Sequence, residues 1–177
     1  MNQFSKQNLS TTPPDTELDA TDLLILDQLQ HNADLTNQAL AERVFTSPPT
    51  CLRRVKRLKD LALIERQIAI LSPDKLAPVI GHGLTAIVEI TLERQDAAAL
   101  DAFESRVNTD AAVQQCYRVS PGPDFVLIVY ASDMPRYLAL AQRLFTADAN
   151  IRNVKAFFSL KRSKFAPQLQ LGKREFA

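Results

Sequence analysis

The sequence runs to 177 residues with 46% hydrophobic and 23% charged side chains, enough to bury one core or two small ones, and its 21 basic and 20 acidic residues leave a net charge of +1. That balance gives no bulk-charge argument for a nucleic-acid partner, so any basic surface has to be local. Two histidines and two distant cysteines make neither a zinc site nor a disulfide framework, and glycines at 81, 83, 122 and 172 alone make neither a Walker loop nor a dinucleotide fingerprint.

In chain order, residues 1–17 are polar, lack the apolar stretch of a secretory signal and read as a disordered leader. The longest strongly apolar run, Phe125 to Ala131, is far below the roughly 18 residues of a membrane span, so a cytoplasmic chain without a membrane partner is expected. Asp19 caps a first helix that runs to about Gln30 and carries Leu18, Ile25, Leu26 and Leu29 on one stripe. After a turn from His31 to Asp34, Thr36 caps a second helix. Leu35 and Leu40 staple its start, Ala41 and Val44 continue the inward face, and it ends near Val44. Ser47 caps a third helix with Pro48 at its first position. Cys51, Val55, Leu58 and Ala62 turn inward there, Pro49, Thr50, Arg53 and Arg57 turn outward, and Arg54 and Lys56 sit at the borders.

Residues 43–66 carry a local charge of +5 and residues 161–177 one of +4, which leaves −8 for the rest: near-neutrality conceals a polarised molecule. Three short helices, the last presenting Thr and Arg outward, fit a helix-turn-helix whose third helix enters the major groove of double-stranded DNA. Arg can contact guanine O6 and N7, Thr a thymine methyl, and Lys a phosphate, so Ser47, Pro49, Thr50, Arg53, Arg54, Lys56 and Arg57 are the candidate DNA-binding residues. On an arbitrary helix the same pattern would mean a solvated basic face; the capped three-helix context argues for DNA. Ile64 to Leu71 alternates as a short strand would and ends the helix-turn-helix unit of residues 18–71, and Ser72-Pro73 breaks it.

Residues 72–83 read as a linker. Leu84 to Leu92 alternates cleanly as a strand and precedes a helix carrying Leu100, Phe103 and Val107. Val113 to Ser120 and Phe125 to Ala131 are strands joined by a hairpin too short for a crossover. Asp133 caps a helix bearing Tyr137, Leu138, Ala141, Leu144 and Phe145, and Val154 to Lys161 is a last strand. The order βαββαβ over residues 84–171 is ferredoxin-like, and the fold class is α+β. Its third strand, FVLIVYA, is apolar on both faces, and Phe157 points opposite Phe158. The face without helices needs a partner, most economically a second copy of the same sheet.

The segments LDATDLLILDQLQ, LTNQALAERV, SPPTCLRRVKRLKDLALI and VSPGPDFVL resemble the Lrp/AsnC family of transcription regulators over roughly Leu18 to Leu171. The resemblance implies a winged helix-turn-helix on DNA and a C-terminal domain that mediates dimers, higher assemblies such as a tetramer of dimers, and binding of a small amino-acid effector. Two departures stand out. The family's glycine before the recognition helix is Phe45 here, and its glycine after that helix falls in Asp60-Leu61-Ala62, so altered geometry is expected at both turns. The effector loop reads Ser120-Pro121-Gly122-Pro123-Asp124-Phe125, with its glycine shifted by one, and Ser120, Gly122, Asp124 and Phe125 are the candidate effector-binding residues.

Asp124 either orients an effector's amino group or caps the third strand. Pro121 and Pro123 donate no N–H, so Gly122 and neighbouring strands must supply the donors for a carboxylate. His31 and His82 are lone loop histidines, Cys51 is a packing residue, Cys116 carries a minor redox reading, and Lys161, Arg162 and Lys164 read as a solvated tail. No catalytic residue, metal or cofactor is assigned. The expectation is a DNA-binding transcription regulator responsive to an amino-acid-like effector. The alternatives are an architectural DNA-binding protein without effector, or an enzyme like the tetrapyrrole decarboxylases that share this fold.

Overall fold

The computed structural model describes residues 17–171, which divide into two compact units, residues 17–70 with 166–171, and Leu71–Phe165. Residues 1–16 of the expected leader lie outside the described residues.

In the first unit α1 spans Ala20–His31, α2 Asn37–Arg43 and α3 Pro48–Asp60. Asp19 caps α1 through a reciprocal box with Asp22, and Thr36 caps α2 by accepting from the Ala39 N–H. Ser47 sits at the cap position of α3, yet its hydroxyl donates to Thr50 Oγ1 at 2.8 Å rather than capping the backbone. Pro48 there sacrifices no hydrogen bond. Ile25, Leu40, Ala41, Val44, Cys51 and Leu58 form the core, with Leu18, Leu26, Leu29, Leu35 and Val55 packed against it. His31 is the last helical residue of α1 instead of a loop residue, and its ring Nδ1 lies 2.8 Å from the Asp27 carbonyl.

Both turns that lack the family's glycine keep the left-handed conformation. Phe45 and Ala62 each have φ of +54°. Each lies one residue past a helix cap, in a pair of hydrogen bonds that closes the helix end: Phe45 N–H to Glu42 O with Thr46 N–H to Ala41 O, and Ala62 N–H to Lys59 O with Leu63 N–H to Leu58 O. The expected altered geometry is therefore corrected. Closing the helix ends outweighs the side-chain strain, and Ala62 leaves the inward face it was expected to join and is exposed. Relief of that strain should make Ala62→Gly more stable by about 1 kcal/mol, read as a higher urea midpoint by circular dichroism. An unchanged or lower midpoint would contradict the strained assignment.

The alternating segment Ile64 to Leu71 forms no strand, because no second strand in this unit lies beside it to pair with among the described residues. Ser72-Pro73, expected only to break that strand, instead starts α4, Pro73–Ile80, inside the stretch read as a linker. It is the same Ser-Pro start as at 47–48.

The second unit is a four-stranded antiparallel sheet in the order β2-β3-β1-β4, with β1 Leu84–Leu92, β2 Val113–Arg118, β3 Phe125–Ala131 and β4 Ile151–Phe158. α5, Ala97–Asn108, is capped by Asp96, and α6, Met134–Ala141, by Asp133; a π-helical turn, Gln142–Thr146, continues α6. These cover one sheet face, burying Ala86, Val88, Ile90, Phe125, Leu127 and Val129 against Phe103, Val107, Tyr137, Leu140, Leu144 and Phe145. Leu138, expected inside, is exposed and Leu140 takes its place. β4 starts and ends three residues earlier than expected, because the bulge at Thr91/Leu92 brings Ile151 opposite Leu92. On the open face the pairing aligns Phe157, Ile87 and Ile128 in one row and Lys155, Glu89, Val126 and Tyr117 in the next.

Candidate nucleic-acid interface and effector loop

The third helix carries a strong polar/apolar asymmetry, and its outward residues divide into two groups. Ser47, Pro49, Arg53 and Lys56 are exposed, and neither Arg53 nor Lys56 forms an ion pair among the described residues. Thr50 is half-buried and its hydroxyl oxygen accepts from Ser47. Arg54 and Arg57 are held by carboxylates of α1. Arg54 Nη1 donates to Asp19 Oδ2 at 2.7 Å and to Asp22 Oδ1 at 2.9 Å, and Arg57 Nη2 donates to Asp22 Oδ2 at 2.5 Å. The Asp22 side chain is only 1% exposed. It is the anchor that sequence reasoning missed, because its partners lie 32 and 35 residues further on.

The hydrogen bonds it donates to Asp22 and then to Asp19 hold the Arg54 guanidinium above its ordinary range. The backbone N–H of Asp22, and with it Arg54, holds the Asp19 carboxyl below the usual carboxylate range. Two arginines thus fix α3 to α1, while Arg53 and Lys56 are left to face outward.

The loop between β2 and β3 leaves Ser120, Pro121 and Gly122 exposed and Asp124 half-buried. Asp124 Oδ2 accepts from the Leu92 N–H at 2.7 Å and from Gln95 Nε2 at 3.2 Å, its N–H donates to the Ile90 carbonyl, and its own carbonyl accepts from Val119. The carboxylate thereby ties the entry of β3 to the end of β1. Phe125 is fully buried, stacked on Phe103 with ring centroids 4.6 Å apart, so its ring supports the loop from beneath rather than lining it. The four candidate residues are consecutive in space but present different surfaces: a hydroxyl, a backbone, a tied carboxylate and a core ring.

Burial pushes the Cys51 thiol up. Burial and then Glu104 raise that of Cys116, which disfavours the thiolate a redox role needs. Lys161, Arg162 and Lys164 are exposed, as a solvated tail would be. Beyond them the chain rejoins the first unit, where the Gln30 amide exchanges two hydrogen bonds with the Leu169 backbone, at 2.8 and 2.9 Å.

Residues 18–65 match the family model described as a winged helix-turn-helix DNA-binding domain, and residues 85–169 match the Lrp/AsnC ligand binding domain. An HTH-type transcriptional regulator of Sinorhizobium fredii is 37% identical over 84% of this chain and 85% of its own length. A leucine-responsive regulatory protein of Rhizobium meliloti is 34% identical over 88% and 97%. Among solved structures, a Neisseria meningitidis transcriptional regulator in complex with L-methionine is similar with a TM-score of 0.75 and 30% identity, covering 88% of this chain and 97% of that one.

Proposed function

Since the chain belongs to the Lrp/AsnC family of transcription regulators, we propose that it binds double-stranded DNA sequence-specifically through the outward face of α3, and that its assembly or DNA affinity responds to a small amino-acid-like effector. It is a helix-turn-helix regulator with a ligand-binding domain, and its relatives are regulators rather than enzymes, which removes the decarboxylase-like alternative.

The observation that carries the DNA reading is the division among the basic residues of α3. Arg53 and Lys56 are exposed and form no ion pair among the described residues, while Arg54 and Arg57 are spent on orienting the helix. Arg53 would read a base edge, Lys56 a phosphate, and Ser47, Pro49 and Thr50 would sit at the end of the helix that enters the groove. Residues 18–71 form the DNA-binding domain in this reading, 72–83 the connection, and 84–171 the effector and assembly domain, with the regulator a dimer or a tetramer of dimers. No helix among the described residues is long and apolar enough to cross a membrane, and a regulator bound to DNA works in the cytoplasm.

The effector is assigned to the loop Ser120 to Phe125, and its amino-acid-like nature is supported by the complex of the Neisseria relative with L-methionine. Ser120 and the Gly122 backbone offer the ligand polar groups, Asp124 offers the carboxylate oxygen not used on Leu92, and Phe125 holds the loop on the core.

The test is a fluorescence-anisotropy titration of duplexes selected by the full-length protein from a random-sequence pool. Arg53→Ala is expected to weaken binding by about 5- to 150-fold, equivalent to about 1–3 kcal/mol, and Lys56→Ala to lower the salt dependence by about one ion. Repeating the titration with each of the twenty amino acids should shift the midpoint for at least one. Wild-type affinity in Arg53→Ala rejects the helix assignment; no shift with any amino acid favours the architectural reading, in which DNA binding stands and the effector does not.

A further inference from the structure

Phe45 occupies a position where glycine would be free of strain. Its φ of +54° lies in the left-handed region, and its ring is 91% exposed, outside the core cluster of its unit. A strained backbone carrying an apolar ring into water gains nothing in folding, so the fold itself gives no reason for the ring. The place is informative. Phe45 follows the cap of α2 by one residue and precedes Ser47, the cap of α3, by two; the pair of hydrogen bonds from Phe45 and Thr46 to α2 pins its backbone. In a helix-turn-helix the N-terminal end of the recognition helix is the end that reaches base edges.

We propose that Phe45 is a specificity-determining residue that reads the C5-methyl of a thymine beside the bases met by α3. This deepens, and rests on, the reading of α3 as the sequence-specific DNA face. A phenyl ring has neither donor nor acceptor, so it cannot read guanine N7/O6 or cytosine N4, and it gains nothing from a phosphate. The apolar feature that the major groove offers is the thymine methyl. The closed helix end fixes the backbone that carries the ring, so less ordering is left to be done on binding.

The experiment compares the full-length wild type with Phe45→Gly, which suits the left-handed backbone and should fold at least as well, and with Phe45→Leu, which keeps an apolar side chain. Each is titrated on the duplex selected by the wild type and on copies in which single thymines are replaced by deoxyuridine, which removes only the methyl. Wild type should lose about fivefold in affinity at one thymine in each half-site. Phe45→Gly should lose a similar factor on the unmodified duplex and be indifferent to that deoxyuridine, while Phe45→Leu retains part of the sensitivity.

If Phe45→Gly binds every duplex as the wild type does, or both lose equally at the same deoxyuridine, Phe45 does not read thymine, whatever protein surface it meets instead. If the wild type enriches no sequence from the pool, the reading of α3 as a sequence-specific face fails, and this proposal with it. Loss at Arg53→Ala without any Phe45 effect separates the two, leaving the helix reading intact and overturning this one.

Discussion

The Arg54→Ala/Arg57→Ala double variant should be less stable than the wild type by about 3 kcal/mol, measured by urea denaturation. Both guanidiniums end on Asp22, whose carboxylate is buried between α1 and α3. Removing them leaves that carboxylate, 1% exposed in the native protein, with only the Asp19 N–H, at 3.2 Å, among its partners in the described residues. A buried charge deprived of its partner costs about 3–5 kcal/mol, and the part-exposure of Arg54 and Arg57 places this case at the low end.

The same logic makes a second variant diagnostic. Adding Asp22→Ala to the pair removes the stranded charge, so the triple variant should regain part of the stability despite having lost one more native residue. The chain contains no tryptophan, so the transition is followed by circular dichroism at the helical minimum. A double variant as stable as wild type, or a triple variant less stable than the double, would show that the ion-pair cluster does not hold α3 to α1. The result also bears on DNA binding: loss of affinity in Arg57→Ala is to be divided between a lost contact and a displaced helix, whereas Arg53→Ala, with no intramolecular ion pair among the described residues, reports the contact alone.

What was legible in the sequence was the part governed by neighbours in the chain. Asp19, Thr36 and Asp133 cap the helices they were expected to cap, and the alternation of Leu84 to Leu92 marks β1 to the residue, because capping and pleating act over two to four positions. What was not legible depends on contacts distant in sequence. Asp22 meets arginines more than thirty residues away, Asp124 is tied to the far end of β1, and the start of β4 is set by a bulge in its partner strand.

Ser72-Pro73 shows a different failure. The dipeptide is a local signal with two meanings, helix start or strand end, and the helix that followed decided between them. At Phe45 and Ala62 the residue types argued against left-handed backbone, and the helix-closing hydrogen bonds imposed it anyway. Of the candidate site, the outward face of α3 was visible in the periodicity; the capture of Arg54 and Arg57 by α1 was not.

Ile87→Asp in the full-length protein should convert the proposed dimer to a monomer at micromolar concentration, read as the mass from light scattering. Ile87 is 40% exposed and stands on the central strand β1 between Phe157 of β4, 53% exposed, and Ile128 of β3, all on the sheet face that α5 and α6 leave uncovered. A row of three large apolar side chains in the middle of an open sheet is a cost in water that a second copy of the same face removes. A two-fold interface carries every substitution twice, so one change brings two carboxylates into the proposed interface. Burying two unpaired charges costs well over the roughly 3 kcal/mol that would raise the dissociation constant by more than a hundredfold.

The substitution should spare the fold, since Ile87 contributes to the open face and Ala86 and Val88 on either side contribute to the core. A monomer would carry one recognition helix where the dimer carries two, spaced by about one helical turn of DNA. Selected duplexes should therefore be bound as single half-sites, with a salt dependence about half that of the wild type. An unchanged dimer mass with a folded Ile87→Asp protein would move the assembly surface away from the open sheet. A monomer that still binds two half-sites cooperatively would mean that DNA itself brings the copies together.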